Sequence, residues 1–283
     1  MNTLRDLKRR IKAVKNIGHI TSAMKTLASA KIRKTEDRQN KVLLYESRLQ
    51  EVMDELVQGA DPGSLELLTN REPHRYGVVV MVSDMGFCGS FNHNILNAAH
   101  SFIKSGTPGE DRRVIAVGKK AISSFIRRGI PCELTVPRWN PDFATAQKIA
   151  DKCVELFLQA KVDRIYVFYS KPITAGKLQA FRETFLPVSF EERVKHSGGD
   201  FLIEPDPLKA LEAILPHFLS VKMHKLLLET RTGELKARIQ AMTNATENAE
   251  SLVNELTLQF FRARQESITR EIIEITSGSE AMK

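Results

Sequence analysis

Three features carry residue types that could do chemistry. Gly86-Phe87-Cys88-Gly89 follows an apolar run and precedes a helical pattern, which is where glycine-rich loops cradle phosphates. It has neither a GxxxxGK[ST] nor a GxGxxG pattern, so it reads as a tight turn whose glycines let the backbone approach a neighbour. Gly118-Lys119-Lys120 has no glycine loop before it and no Ser or Thr after it, and reads as a helix start behind a strand. Cys88 could act as a nucleophile, with His93 close in sequence. A lone small thiol is more simply a buried packing residue. The histidines at 19, 74, 93, 100, 196, 217 and 224 show no ligand spacing. Cys88, Cys132 and Cys153 are too few and too scattered for a zinc site or a disulfide framework. No catalytic, cofactor-binding or metal site is expected, and a reducing compartment is the default.

The elements that would position these residues fall into three groups. Leu4, Leu7, Ile11, Val14, Ile17, Ile20, Met24 and Leu27 recur every three or four residues, and Val42, Tyr45, Leu49, Val52 and Leu56 resume the pattern. That is a coiled-coil seam on one long helix over 4–56, with Gly18 as its weak point. At 1.5 Å per residue the helix is about 80 Å long, and Gly59, Asp61, Pro62 and Gly63 end it. Strand signals at 78–83, 114–117, 164–169 and 178–185 alternate with helical ones, which predicts a small α/β domain with a largely parallel sheet. Leu235, Ile239, Met242, Thr246, Ala249, Val253, Leu256, Phe260 and Ala263 then alternate steps of four and three. Pro216 is expected to kink or divide this second long helix near its start. Neither long helix buries its seam alone in water. The economical arrangement is an antiparallel coiled coil of the N- and C-terminal helices plus a central, Rossmann-like α/β domain. The expected division is a helix at 1–58, a linker at 59–75, the α/β domain at 76–200 and a helix at 206–277.

Charge narrows the partners. The chain has 283 residues and a formal charge of +8, and residues 1–40 hold eleven Lys and Arg against three acids, so this segment accounts for the whole excess. An electrostatic partner should meet the N-terminal helix. A nucleic-acid binder would back such charge with stacking aromatics, and the first 40 residues contain none. A membrane-surface helix would carry Trp or Phe anchors on a broad apolar face, whereas this seam is narrow. The longest purely aliphatic run, Val78–Val82, falls far short of the roughly 20 residues of a membrane span. No signal-peptide core is visible, and the basic pattern runs on past residue 30 without a break, so it reads as mature structure and not as a transit peptide. Partner-binding rod is the leading reading, with a basic coiled-coil nucleic-acid-binding, ribosome-associated protein as the alternative.

Residues 8–34, KRRIKAVKNIGHITSAMKTLASAKIRK, resemble the opening of the gamma subunit of F-type, bacterial-like ATP synthases. VSDMGFCGSFNHNI at 82–95 is similar to that family's signature SxDxGLCGxxNxNI, matched by Asp84, Gly86, Cys88, Gly89 and Asn92. Met85, Phe87 and Ser90 depart from it. Residues 235–278, with ARQxxIT at 263–269, resemble the family's C-terminal helix. The resemblance spans nearly the whole chain. It implies a central rotor stalk that couples ion-driven rotation of the membrane c ring to conformational cycling of three catalytic β subunits, and that is not itself an enzyme. The implied partners are three α and three β subunits, the ε subunit and the c-subunit ring, with no nucleic acid. The implied place is peripheral, on the cytoplasmic face of the bacterial plasma membrane. Without an extra cysteine-bearing insert of the chloroplast kind, no thiol regulation is expected.

The resemblance also assigns roles. Arg264, Gln265 and Thr269 lie in the stretch that meets a β subunit in the family. Met24, Lys25, Lys31, Arg33 and Lys34 lie in the stretch that faces its acidic C-terminal region. Ile268, Ile272, Ile273 and Ile275 lie beyond the reach of a paired N-terminal helix and would form an apolar bearing inside the ring.

Overall fold

The computed structural model describes residues 4–59, 65–106, 110–172, 178–190 and 206–281. Residues 1–3, part of the expected linker (60–64, including Asp61, Pro62 and Gly63) and the expected end of the α/β domain (191–200) lie outside the described residues. The elements are helix α1 (Leu4–Gly59), strand β1 (Arg75–Met81), helix α2 (Phe91–Lys104), strand β2 (Asp111–Val117), helix α3 (Lys119–Arg127), strand β3 (Cys132–Val136), helix α4 (Phe143–Leu158), strands β4 (Arg164–Pro172) and β5 (Leu178–Leu186), and helix α5 (Pro207–Ala281). The chain divides into two compact units, one of residues 1–29 with 238–283 and one of residues 30–237.

In the larger unit the sheet order is β3-β2-β1-β4-β5. β1 pairs in parallel with β2 and β4, β2 pairs in parallel with β3, and only β5 runs antiparallel. The period-2 alternation of strands divides the apolar run between two cores. Val79 and Met81 of β1, with Ile115 and Val117 of β2, face α4 together with Leu49, Met53 and Leu56 of α1 and Leu211–Leu227 of α5. Val78 and Val80, with Val114 and Ala116, face α2 and α3. A sheet covered by helices on both faces needs unbroken apolar strands, which is why this segment lacks polar alternation. β3 escapes the sequence reading because it is an edge strand whose exposed Glu133 and Thr135 interrupt its apolar residues.

Pro216 does not divide α5, which runs unbroken through it. One turn on, the Ser220 hydroxyl donates to the Pro216 carbonyl at 3.0 Å. Proline forfeits a single helix hydrogen bond, and burial of Leu211, Leu215, Phe218 and Leu219 on either side holds the helix together.

The smaller unit pairs the start of α1 with the end of α5, antiparallel. The Thr21 and Thr246 hydroxyls meet at 2.8 Å, and a Cβ placed on Gly18 would lie 3.6 Å from that of Ala249. The C-terminal seam is the expected one, with Leu235, Met242, Ala249 and Leu256 buried. The N-terminal seam follows the expectation at Leu7, with Leu4, Ile11, Val14 and Met24 half-buried, and corrects it elsewhere. Leu7, Thr21 and Ala28 are buried, whereas Ile17, Ile20 and Leu27 are 53–63% exposed. At Thr21 and Ala28 small residues occupy the seam, and Ile17, Ile20 and Leu27 face outward. Carried outward, the same register sets Leu4 level with Ala263. Arg264–Ala281 therefore has no antiparallel partner among the described residues, an overhang of about 27 Å.

Candidate functional site

The signature loop joins β1 to α2. Its polar atoms are satisfied by its own chain. Ser83 N–H donates to Asn92 Oδ1 at 2.9 Å, and the Ser83 hydroxyl sits against the same oxygen and the Met85 carbonyl. Asn92 Nδ2 donates to Cys88 Sγ at 3.2 Å. Asp84 Oδ1 accepts from Lys119 N at 2.9 Å and from Arg138 N at 2.8 Å. It caps the first turn of α3, whose own N-cap, Gly118, has no side chain to do so. Gly118-Lys119-Lys120 is thus a helix start, as expected.

The turn reading of Gly86-Phe87-Cys88-Gly89 also stands, but Gly86 does not provide a close approach. A Cβ on Gly86 would meet nothing within 4 Å. The close approach occurs at Gly118, where φ is 95° and a Cβ would lie 2.1 Å from the Val82 carbonyl oxygen. That same carbonyl accepts the Trp139 indole N–H at 2.9 Å. Phe87 has a positive φ of 61° and is 65% exposed, as is most of Met85. The loop presents these two apolar side chains outward and spends its polar groups on folding.

Nucleophilic chemistry finds no support here. Cys88 is buried, and His93 Nε2 pairs with Asn97 at 2.7 Å. Burial pushes the Cys132 and Cys153 thiols up, away from the thiolate. Among the described residues no group of three or more His, Cys, Asp or Glu side chains could hold a metal ion, and no helix is long and apolar enough to cross a membrane.

The residues assigned by resemblance lie on helix surfaces. Met24 is half-buried, and Lys25, Lys31, Arg33 and Lys34 are exposed along α1. Arg264, Gln265 and Thr269 are exposed on the overhang of α5, where the Thr269 hydroxyl donates to the Gln265 carbonyl at 2.9 Å. Ile268, Ile272, Ile273 and Ile275 are exposed there too. Sequence reasoning missed two structural anchors of the α/β domain. Asp163 accepts from the His74 and Arg75 backbones and from the Arg75 guanidinium, tying β1 to β4. Arg231 of α5 lies 4.6 Å over the Trp139 ring and donates to its carbonyl. The only signal for the second was that Trp139 is the sole tryptophan.

Comparison with known proteins agrees with this arrangement. The ATP synthase family model matches residues 3–282. The ATP synthase gamma chain of Moorella thermoacetica is 34% identical over 285 residues, and that of Chlorobium luteolum 35% over 292, each alignment covering 100% of both chains. A chain of the Euglena gracilis mitochondrial ATP synthase (OSCP/F1/c-ring) shares the fold with a TM-score of 0.67 at 19% identity, covering 99% of this chain and 94% of that one. A central stalk/c-ring chain of the Tetrahymena thermophila mitochondrial enzyme matches with a TM-score of 0.60 at 21% identity, covering 80% of this chain and 99% of that one. With a family model spanning almost every residue and full-length relatives above the 30% level, the chain belongs to the ATP synthase gamma chain family.

Proposed function

We propose that this chain is the central rotor stalk of an F-type ATP synthase, turned by the ion-driven c ring and cycling three catalytic β subunits through their conformations. In this reading 1–58 and 206–277 supply the shaft helices and 76–200 the α/β domain, joined by 59–75. The chain performs no chemistry itself. Its partners are three α and three β subunits, ε and the c ring. It sits peripherally on the cytoplasmic face of a bacterial plasma membrane.

The observation that carries this reading is the overhang. Ile268, Ile272, Ile273 and Ile275 are 46–71% exposed on a helix that has outrun its partner. Most helical stability in proteins comes from packing of an apolar face, and an exposed apolar surface marks a contact. A sleeve formed by the ring would cover it. Arg264, Gln265 and Thr269 at the base of the overhang would then touch a β subunit, and Met24, Lys25, Lys31, Arg33 and Lys34 its acidic segment. Exposed ion pairs contribute about 0–1 kcal/mol each, which suits contacts remade at every step. A rotor shifts the β equilibrium only through contacts that differ between the conformations. Reconstitution with cognate α and β tests the assignment. The expected result is a complex with one copy of this chain and ATP hydrolysis that depends on it; failure to co-assemble overturns the assignment.

A further inference from the structure

The larger unit contains a buried carboxylate that no function above uses. Glu229 lies on α5 between α1, β4 and β5, and it is 8% exposed. Its Oε2 is fully buried and has no hydrogen-bond partner. The groups that face it are mixed in charge. From α1 comes Glu46, which holds Lys225 of α5 at 2.9 Å. From β5 comes Glu183, which accepts the Tyr169 hydroxyl of β4 at 2.9 Å and lies 3.5 Å from Lys222 Nζ of α5. Lys171 of β4 adds a second cation. Lys225, the cation that acts most strongly on Glu229, is already engaged by Glu46, and Glu229 makes no ion pair of its own.

An ionised carboxylate in that position bears the full cost of lost hydration with one oxygen unsatisfied. A neutral carboxyl does not. We propose that Glu229 is a proton-binding site, occupied in the folded protein where α1 and α5 meet the antiparallel edge of the sheet. Burial, the dominant cause, pushes the Glu229 carboxyl up; Lys225 and Lys171 oppose the shift, and Glu183 and Glu46 add to it. Burial, with Glu183 and Glu229, pushes the Tyr169 hydroxyl up, so it stays a donor. A carboxyl raised in the folded state binds its proton more tightly there than in the unfolded chain. Its contribution to stability is therefore complete below the ordinary glutamate range and is lost as pH rises through the raised value.

The test uses the full-length chain and does not depend on its role in the synthase. Thermal unfolding of the wild type and of Glu229→Gln, which mimics the protonated acid, is followed from about pH 5 to about pH 9. The variant should gain on the wild type as pH rises, by about 2–4 °C or more at the alkaline end. A gap that is constant across pH, or a wild type more stable at alkaline pH, overturns the proposal. An infrared titration of the wild type decides independently, even if the variant does not fold. A neutral-carboxyl C=O band should persist above the ordinary glutamate range and titrate away with rising pH. Its absence there means Glu229 is ionised and the site does not exist. Glu229→Gln should remove that band, and a band that persists in the variant places it on another residue.

Discussion

The two ends of α5 obey different rules. From Leu226 to Leu235 every side chain but Arg231 is buried, including Glu229, Thr230, Thr232 and Glu234. From Ile268 to Ser279 every side chain is exposed, including four isoleucines. The first stretch is helical because core packing on several sides outweighs the cost of ordering it. The second has no such support among the described residues. Its exposed isoleucines are what the proposed sleeve of other subunits would cover.

A similar contrast separates two glycines. Gly118 stands at a positive φ with its missing Cβ aimed at a carbonyl 2.1 Å away, while Gly18 sits in a helix with ordinary contact distance to Ala249. The largest expected effect is therefore at Gly118. Gly118→Ala should lose about 3 kcal/mol or more of stability, through strain and displacement of the Val82 carbonyl. A urea midpoint like that of the wild type would break the comparison. Next comes Asp163→Ala, which strips the His74 and Arg75 amides of their acceptor and should cost about 2 kcal/mol near neutral pH. Burial alone would push the Asp163 carboxyl up, but the Arg75 guanidinium and the two backbone N–H groups outweigh it and hold the group below its ordinary value. Its contribution is present above the ordinary aspartate range and is lost as pH falls through the lowered value. The gap between variant and wild type should close on acidification, measured by denaturation at stepped pH. Gly18→Ala should do the reverse of Gly118→Ala and gain up to about 1 kcal/mol, because the seam has room and alanine favours helix. A loss there would mean that the helices sit closer than the Ala249 contact indicates. The smallest effect on stability belongs to the overhang. Ile272→Ser should change unfolding by less than about 0.5 kcal/mol, yet reduce coupled pumping in the assembled enzyme.

Patterns within one element were legible in the sequence, and pairings between distant elements were not. The C-terminal seam reads residue by residue from Leu235 to Ala263, because its large and small residues alternate at heptad spacing. The N-terminal seam misleads in part, since size suggests Ile17, Ile20 and Leu27 where Thr21 and Ala28 are the buried residues. β3 was missed because an edge strand needs only half its side chains apolar. In the signature loop the glycine turn was visible in the sequence, but the role of Asp84 was not. Its partners, the amides of Lys119 and Arg138, lie 35 and 54 residues away. The Asp163 and Arg231 anchors escape for the same reason, and Pro216 shows that one breaker yields to a buried apolar face.

The central claim is that the end of α5 completes itself against a ring of other subunits. It is tested most directly by truncating the chain after Gln265, assembling it with cognate α, β, ε and membrane sector, and measuring ATP-driven ion pumping per ATP hydrolysed. The account predicts a clear fall in that ratio, with unfolding of the α/β domain unchanged. Pumping equal to that of the full-length chain would contradict it.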